Sequence, residues 1–217
     1  MDASFEAAIL ENPDDDAPYL VYADYLMAQG DPRGELIVMQ HDADEADGPR
    51  KTALRRAVNT HLGKHAAHFL GPLASFQNGR YKLLWRYGYV RRLELQWNDN
   101  GHWPHTKQAF EELAAILRHA SFQFVVDLQL GPIRDRYGDV QFQETIDLIA
   151  DLGRPAALRL LDLGIEGGYL LDTAFGEMSE LVRAFPKLRR IRLRERRSDD
   201  PRPDDPLQEM MIKRSRT

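Results

Sequence analysis

The apolar pattern of one short stretch, Leu158-Arg-Leu-Leu-Asp-Leu-Gly164, occurs four times, and this recurrence constrains the fold more than any other feature. The other copies are Val90-Arg-Arg-Leu-Glu-Leu95, Val125-Val-Asp-Leu-Gln-Leu130 and Leu188-Arg-Arg-Ile-Arg-Leu193. Aligned on Leu93, Leu128, Leu161 and Ile191, they lie 35, 33 and 30 residues apart. A period of that length marks stacked units, each of which buries its apolar side against the next. Between the copies, apolar residues recur at helical spacing over Thr106–His119, Gln141–Leu152 and Ala174–Phe185. Strand, helix, strand in regular order predicts parallel strands joined by right-handed crossovers.

A parallel sheet with helices on both faces is apolar on both sides. These strands alternate instead. Leu93, Leu95, Leu128, Leu130, Leu161, Leu163, Ile191 and Leu193 point one way, toward a single helix layer. Arg92, Glu94 and Gln96, then Asp127 and Gln129, then Leu160 and Asp162, then Arg190, Arg192 and Arg194 point the other way. The expected fold is therefore an α/β, leucine-rich-repeat-like β/α solenoid with a parallel sheet and one open, polar face. In such solenoids equivalent positions of successive strands form the partner-binding surface. The competing account of these ten positions is that they are polar because they meet water.

The N-terminal part reads as helical. Phe5, Ala8 and Ile9 mark a first helix ending near Glu11, and Leu20, Ala23, Leu26 and Met27 form the stripe of a second that Gly30 stops. Asp31-Pro32 starts a third, with Asp31 as its N-cap and Leu36, Ile37 and Met39 as its apolar residues. Residues 41–50 are acidic and turn-rich and are expected to form a mobile loop. A longer helix over Thr52–His68 follows, with Leu54, Val58, Leu62 and Phe69 on its buried side. Segments 81–86 and 90–97, joined through Tyr87-Gly88, predict a hairpin capping the first edge of the sheet.

The run Ile9-Leu-Glu-Asn-Pro-Asp-Asp-Asp-Ala-Pro-Tyr-Leu-Val-Tyr-Ala-Asp-Tyr-Leu-Met-Ala-Gln-Gly-Asp-Pro-Arg-Gly-Glu-Leu-Ile37 resembles the bacterial repeat-companion domain, a short helical module that typically precedes leucine-rich-like repeats. The resemblance spans residues 5–40, and Trp85-Arg-Tyr-Gly-Tyr-Val90 looks like that family's lead-in to the first repeat strand. Tyr19 and Tyr25 depart from it, standing where the family commonly has a basic residue and a tryptophan. The resemblance implies a division into a helical module at 1–72, repeats at 73–197 and a tail from 198 to 217. It implies no general activity. The tail, rich in Asp, Pro and Arg, is expected to be disordered.

Zero cysteines exclude disulfides, thiolate metal sites and cysteine nucleophiles, and favour a reducing cytoplasm. The acidic N-terminus does not read as a secretory signal, and no run of apolar residues suits a membrane span. The net charge of −5 conceals an asymmetry. Residues 1–50 carry 13 acids and 2 bases, and residues 51–100 carry 9 bases and 2 acids. Solubility is the simplest account; packing of the acidic helices beside the basic segment is the alternative.

Signatures of catalysis are missing: there is no Gly-rich phosphate loop, no Gly-x-Ser-x-Gly elbow and no His-Glu-x-x-His zinc pair. His61, His65 and His68 share one helix face, a spacing compatible with zinc but lacking a further ligand. Asp14, Asp15 and Asp16 fit the electrostatics of a helix start. Trp97 and Trp103, with His102 and His105, sit in a loop that reads as packed or as a contact site. Tyr81, Trp85, Tyr87 and Tyr89, interleaved with bases over 80–92, raise nucleic acid as an alternative partner, which the acidic net charge opposes. The expectation is thus a non-catalytic bacterial interaction or scaffolding module without a cofactor. Its open face would bind a protein partner carrying acidic groups that Arg190, Arg192 and Arg194 contact.

Overall fold

The computed structural model describes residues 3–75, 81–97, 105–134, 141–166 and 179–196. Five helices come first: α1 (Ala3–Glu11), α2 (Ala17–Ala28), α3 (Pro32–Glu45), α4 (Gly48–Lys64) and α5 (Ala66–Leu70). Strands β1 (Tyr81–Arg86), β2 (Tyr89–Leu95), β3 (Asp127–Leu130), β4 (Leu160–Glu166) and β5 (Arg190–Arg196) follow, with α6 (Thr106–Arg118), α7 (Phe142–Leu152) and α8 (Ser179–Ala184) between the last four. The strands form one open, mixed sheet in chain order, antiparallel only between β1 and β2.

The sequence alignment of the four copies is the register of the sheet. Leu93 lies opposite Leu128, Leu128 opposite Leu161, and Leu161 opposite Ile191. Those four residues and Leu95, Leu130 and Leu163 are buried against Leu113, Ile116 and Leu117 of α6, Phe142, Ile146 and Ile149 of α7, and Leu181 of α8. At about 1.5–3 kcal/mol for each fully buried aliphatic side chain, this row holds the pairing in place. A slip by one residue would turn every leucine outward.

The β1–β2 hairpin turns through two residues of positive φ, Tyr87 at 46° and Gly88 at 76°. That is the geometry a two-residue connection needs to match strand twist. Gly88 is also where α3 grips the hairpin. A Cβ there would stand 2.7 Å from Ile37 Cγ1, and the Gly88 N–H donates to Gln40 Oε1 at 2.7 Å.

Several helix expectations need correction. Residues 41–50 are not a loop. α3 continues to Glu45 and α4 begins at Gly48, with Pro49 in its first turn, where a missing N–H is tolerated. The helix expected over Thr52–His68 is two helices that break at His65. In α2 the buried residues are Tyr19, Tyr22, Ala23 and Leu26, while Met27 is exposed, so two tyrosines take the core role expected of Leu20 and Met27. Asp31 caps α3 as expected, its carboxylate accepting from Arg33 N at 2.8 Å. The tail from 198 lies outside the described residues, as do residues 174–178 of the last predicted helix.

The helical module packs against the end of the sheet where the parallel strands begin. Tyr87, Tyr89 and Phe124, all at strand entrances, share one core with Ile9, Tyr19, Tyr22, Leu26 and Ile37. Lys187, just before β5, donates to the carbonyls of Leu10 and Glu11 at the C-terminal end of α1. Cations suit that end of a helix.

Candidate functional site

Of the ten predicted positions, Arg92, Glu94, Asp127, Gln129, Leu160, Asp162, Arg190 and Arg192 alternate along β2 to β5 with the buried leucines and so belong to the opposite sheet face. Register arranges eight residues of that face, with two from β1, into two rows crossing all five strands. One row reads Leu84, Arg92, Asp127, Leu160, Arg190, and the other Lys82, Glu94, Gln129, Asp162, Arg192. Gln96 lies beside Gly131, where a Cβ would meet its Oε1 at 2.2 Å. Arg194 pairs with Gly164 in the register, and its side chain lies outside the described residues.

The face is less open than its alternation implies. Asp127 and Asp162 are 8% and 2% exposed. Short carboxylates sit low on a pleated surface, and at Asp127 a long basic side chain lies over one. Arg92 Nε reaches Asp127 Oδ2 at 2.5 Å while its own side chain stays 53% exposed. Gln129 Nε2 donates to the other Asp127 oxygen at 3.2 Å. At the first edge Lys82 Nζ donates to Glu94 Oε1 at 2.8 Å. The charges therefore grade across the sheet: the acids are concentrated in the middle strands, and Arg190 and Arg192 stand on the last. Both of these arginines are half-buried.

No family model, curated protein or solved structure matches this chain.

The histidine helix turns toward α3. His61 Nε2 donates to the Pro32 carbonyl at 2.9 Å, and its Nδ1 lies 3.6 Å from Glu35 Oε2. His68 Nε2 stands 3.0 Å from Asp31 Oδ1, and the His65 ring packs 4.8 Å from that of His61. Among the described residues no three His, Asp or Glu side chains converge to hold a metal ion. No described helix is long and apolar enough to cross a membrane. The aromatic residues between the bases are committed to packing. Tyr87 and Tyr89 are buried in the helical core, Trp85 packs edge-on to Phe69 at 5.9 Å, and Tyr81 lies against the sheet core. Trp97 is fully buried, which settles that residue as core; His102 and Trp103 lie outside the described residues.

Two sites escaped sequence reasoning. Asp14 does not serve a helix start: its carboxylate pairs with Arg91 and with Arg159, the latter at 2.5 Å, and Arg86 approaches to 3.9 Å. The hydrogen bond from Arg159 holds its pKa below the ordinary value of 3.8, against the opposing effect of burial. The packing alternative for the charge asymmetry is thus realised at this residue. Asp15 behaves as expected, accepting from Ala17 N at 3.1 Å. The second site is Arg33, 3% exposed, between the rings of Tyr89 and Phe69 at 4.7 and 5.4 Å. It donates to the Gly88 carbonyl and to Ser121 Oγ, the latter at 3.1 Å. Burial lowers its pKa from the ordinary value of 12.5, while Tyr89 and Asp31 nearby favour the charged guanidinium.

Proposed function

We propose that this chain is a non-catalytic interaction or scaffolding module of the bacterial cytoplasm. In this reading it is a short leucine-rich-repeat-like solenoid led by a repeat-companion module, and it takes a protein partner on the two-row sheet face. The observation that carries this reading is the register. Equivalent positions of β2 to β5 stand side by side on one face, while α6, α7 and α8 pack on the other. Acidic groups of the partner would meet Arg190 and Arg192, with Arg194 continuing the series. Charge-assisted hydrogen bonds from arginine are suited to such groups, and the paired acids of β3 and β4 would disfavour acidic partners elsewhere on the face. Tyr87 and Tyr89 are packed in the helical core and do not offer bases a stacking surface, which ranks a nucleic-acid partner below a protein. The absence of cysteine suits the reducing compartment.

The test compares the protein with its R190E/R192E/R194E variant, both immobilised and exposed to lysate of the source cells. A protein retained only by the unaltered chain, and protecting β2 to β5 from hydrogen exchange, supports the reading. Equal retention by both, or protection confined to the helical module, overturns it.

A further inference from the structure

The Asp14 cluster carries more positive charge than its carboxylate balances. Three guanidiniums converge on one carboxylate: Arg91 from β2, Arg159 from the entrance to β4, and Arg86 from the end of β1. Arg86 Nη2 also donates to the Asp14 carbonyl at 3.1 Å. Neighbouring acids are turned elsewhere, Asp15 to the Ala17 N–H and Asp16 to His41 at 3.5 Å. Two positive charges remain in excess at the centre. The side chain of Arg91 is 10% exposed, so water does little to offset its share. Its Nη1 and the Nε of Arg86 are buried with no hydrogen-bond partner among the described residues. A buried donor without an acceptor is unfavourable, and two of them beside surplus charge mark a place that a larger anion would satisfy better than a carboxylate does.

We propose that Arg86, Arg91 and Arg159 form an oxyanion site that takes a phosphate group, with the Asp14 side chain as its resident occupant. A phosphate dianion matches the surplus left when Asp14 withdraws more closely than a single carboxylate, and its additional oxygens reach donors that two carboxylate oxygens leave unused. Guanidinium forks suit such tetrahedral anions. The exchange is geometrically simple. Asp14 lies in the non-helical link between α1 and α2 and is 49% exposed, and Arg159 at the rim is 26% exposed. The carboxylate can turn to water while the arginines stay in the sheet. This site is separate from the two-row face and does not depend on the function proposed for it.

The full chain is titrated with inorganic phosphate and, separately, with O-phosphoserine, and its unfolding temperature is followed against sodium chloride of equal ionic strength. A saturable rise is expected with phosphate. D14N should respond at roughly tenfold lower concentration, because the competing carboxylate is gone, and R159Q should lose the response. A stronger effect of phosphoserine identifies a phosphorylated side chain as the form bound; an equal or stronger effect of inorganic phosphate identifies the free ion. If D14N fails to fold, the unaltered chain and R159Q decide the matter. Equal responses in those two, or a D14N response no greater than that to chloride, overturns the proposal.

Discussion

The guanidinium of Arg33 donates to the carbonyl oxygen of Gly88, a residue 55 positions later at the tip of the first hairpin. Helical module and sheet meet at that bond. The same Arg33 holds Ser121, on the turn before β3, so one side chain joins α3 to the entrances of two strands.

Replacing Arg33 should therefore loosen both parts together. R33A leaves the Gly88 carbonyl and Ser121 hydroxyl without their donor in a dry interior, at about 1–3 kcal/mol for such a group. A loss of about 2–3 kcal/mol in urea unfolding is expected. R33K should recover little, since one ammonium cannot replace a planar fork that reaches two acceptors and lies between two rings. A loss below about 0.5 kcal/mol would show that α3 and the hairpin do not depend on this contact.

Two glycines in helices should respond in opposite directions to alanine. A Cβ on Gly34 would stand 2.6 Å from the Ala23 carbonyl oxygen and 2.8 Å from Met27 N, so α2 and α3 would have to separate. G34A should lower stability by about 1–3 kcal/mol or more. Gly63, on α4, has nothing within 4 Å of that position. G63A should raise stability by up to about 1 kcal/mol through helix propensity. Thermal unfolding of the two variants in one buffer checks the pair, and a destabilised G63A or an unaffected G34A would contradict the packing described.

Acid should weaken the fold in two separate ranges. His119 accepts from Ser121 N at 3.3 Å, and burial, with Arg33 and His68 nearby, lowers its pKa from 6.5. Its folded state prefers the neutral ring, so its contribution is complete above pH 6.5 and is lost progressively as pH falls toward the folded value. Asp14 is lowered from 3.8, first by the Arg159 hydrogen bond; its contribution is present above that pH and is lost as pH falls through the folded value. H119Q should flatten the first decline only, and D14N the second only. Unfolding free energy measured from pH 8 to pH 3 separates them; a first decline unchanged in H119Q would remove His119 as its source.

The sheet was legible because its code is local. Alternation of period two, repeated four times, gave both the buried face and the partner of each leucine across three strand pairs. The helix boundaries around residues 41–50 were not, since acidic, turn-forming residues there sit within helices that draw support from packing on their other sides. Burial of Asp127 and Asp162 was hidden as well. Alternation says which way a side chain points but not whether a longer neighbour lies over it. Asp14 and Arg33 were invisible for a different reason. Their partners are distant in sequence, 145 residues away for Arg159, and no periodicity records such a meeting.

The path of the α1–α2 link along the strand entrances has a consequence for synthesis. Asp14 emerges from the ribosome early, yet Arg159 follows 145 residues later, and Lys187 comes 177 residues after the Leu10 carbonyl it holds. At about 5–20 residues per second, the helices wait many seconds for their last anchors. The contacts of Arg33 with Gly88 and Ser121 can form first, and those of Asp14 with Arg159 and of α1 with Lys187 close last.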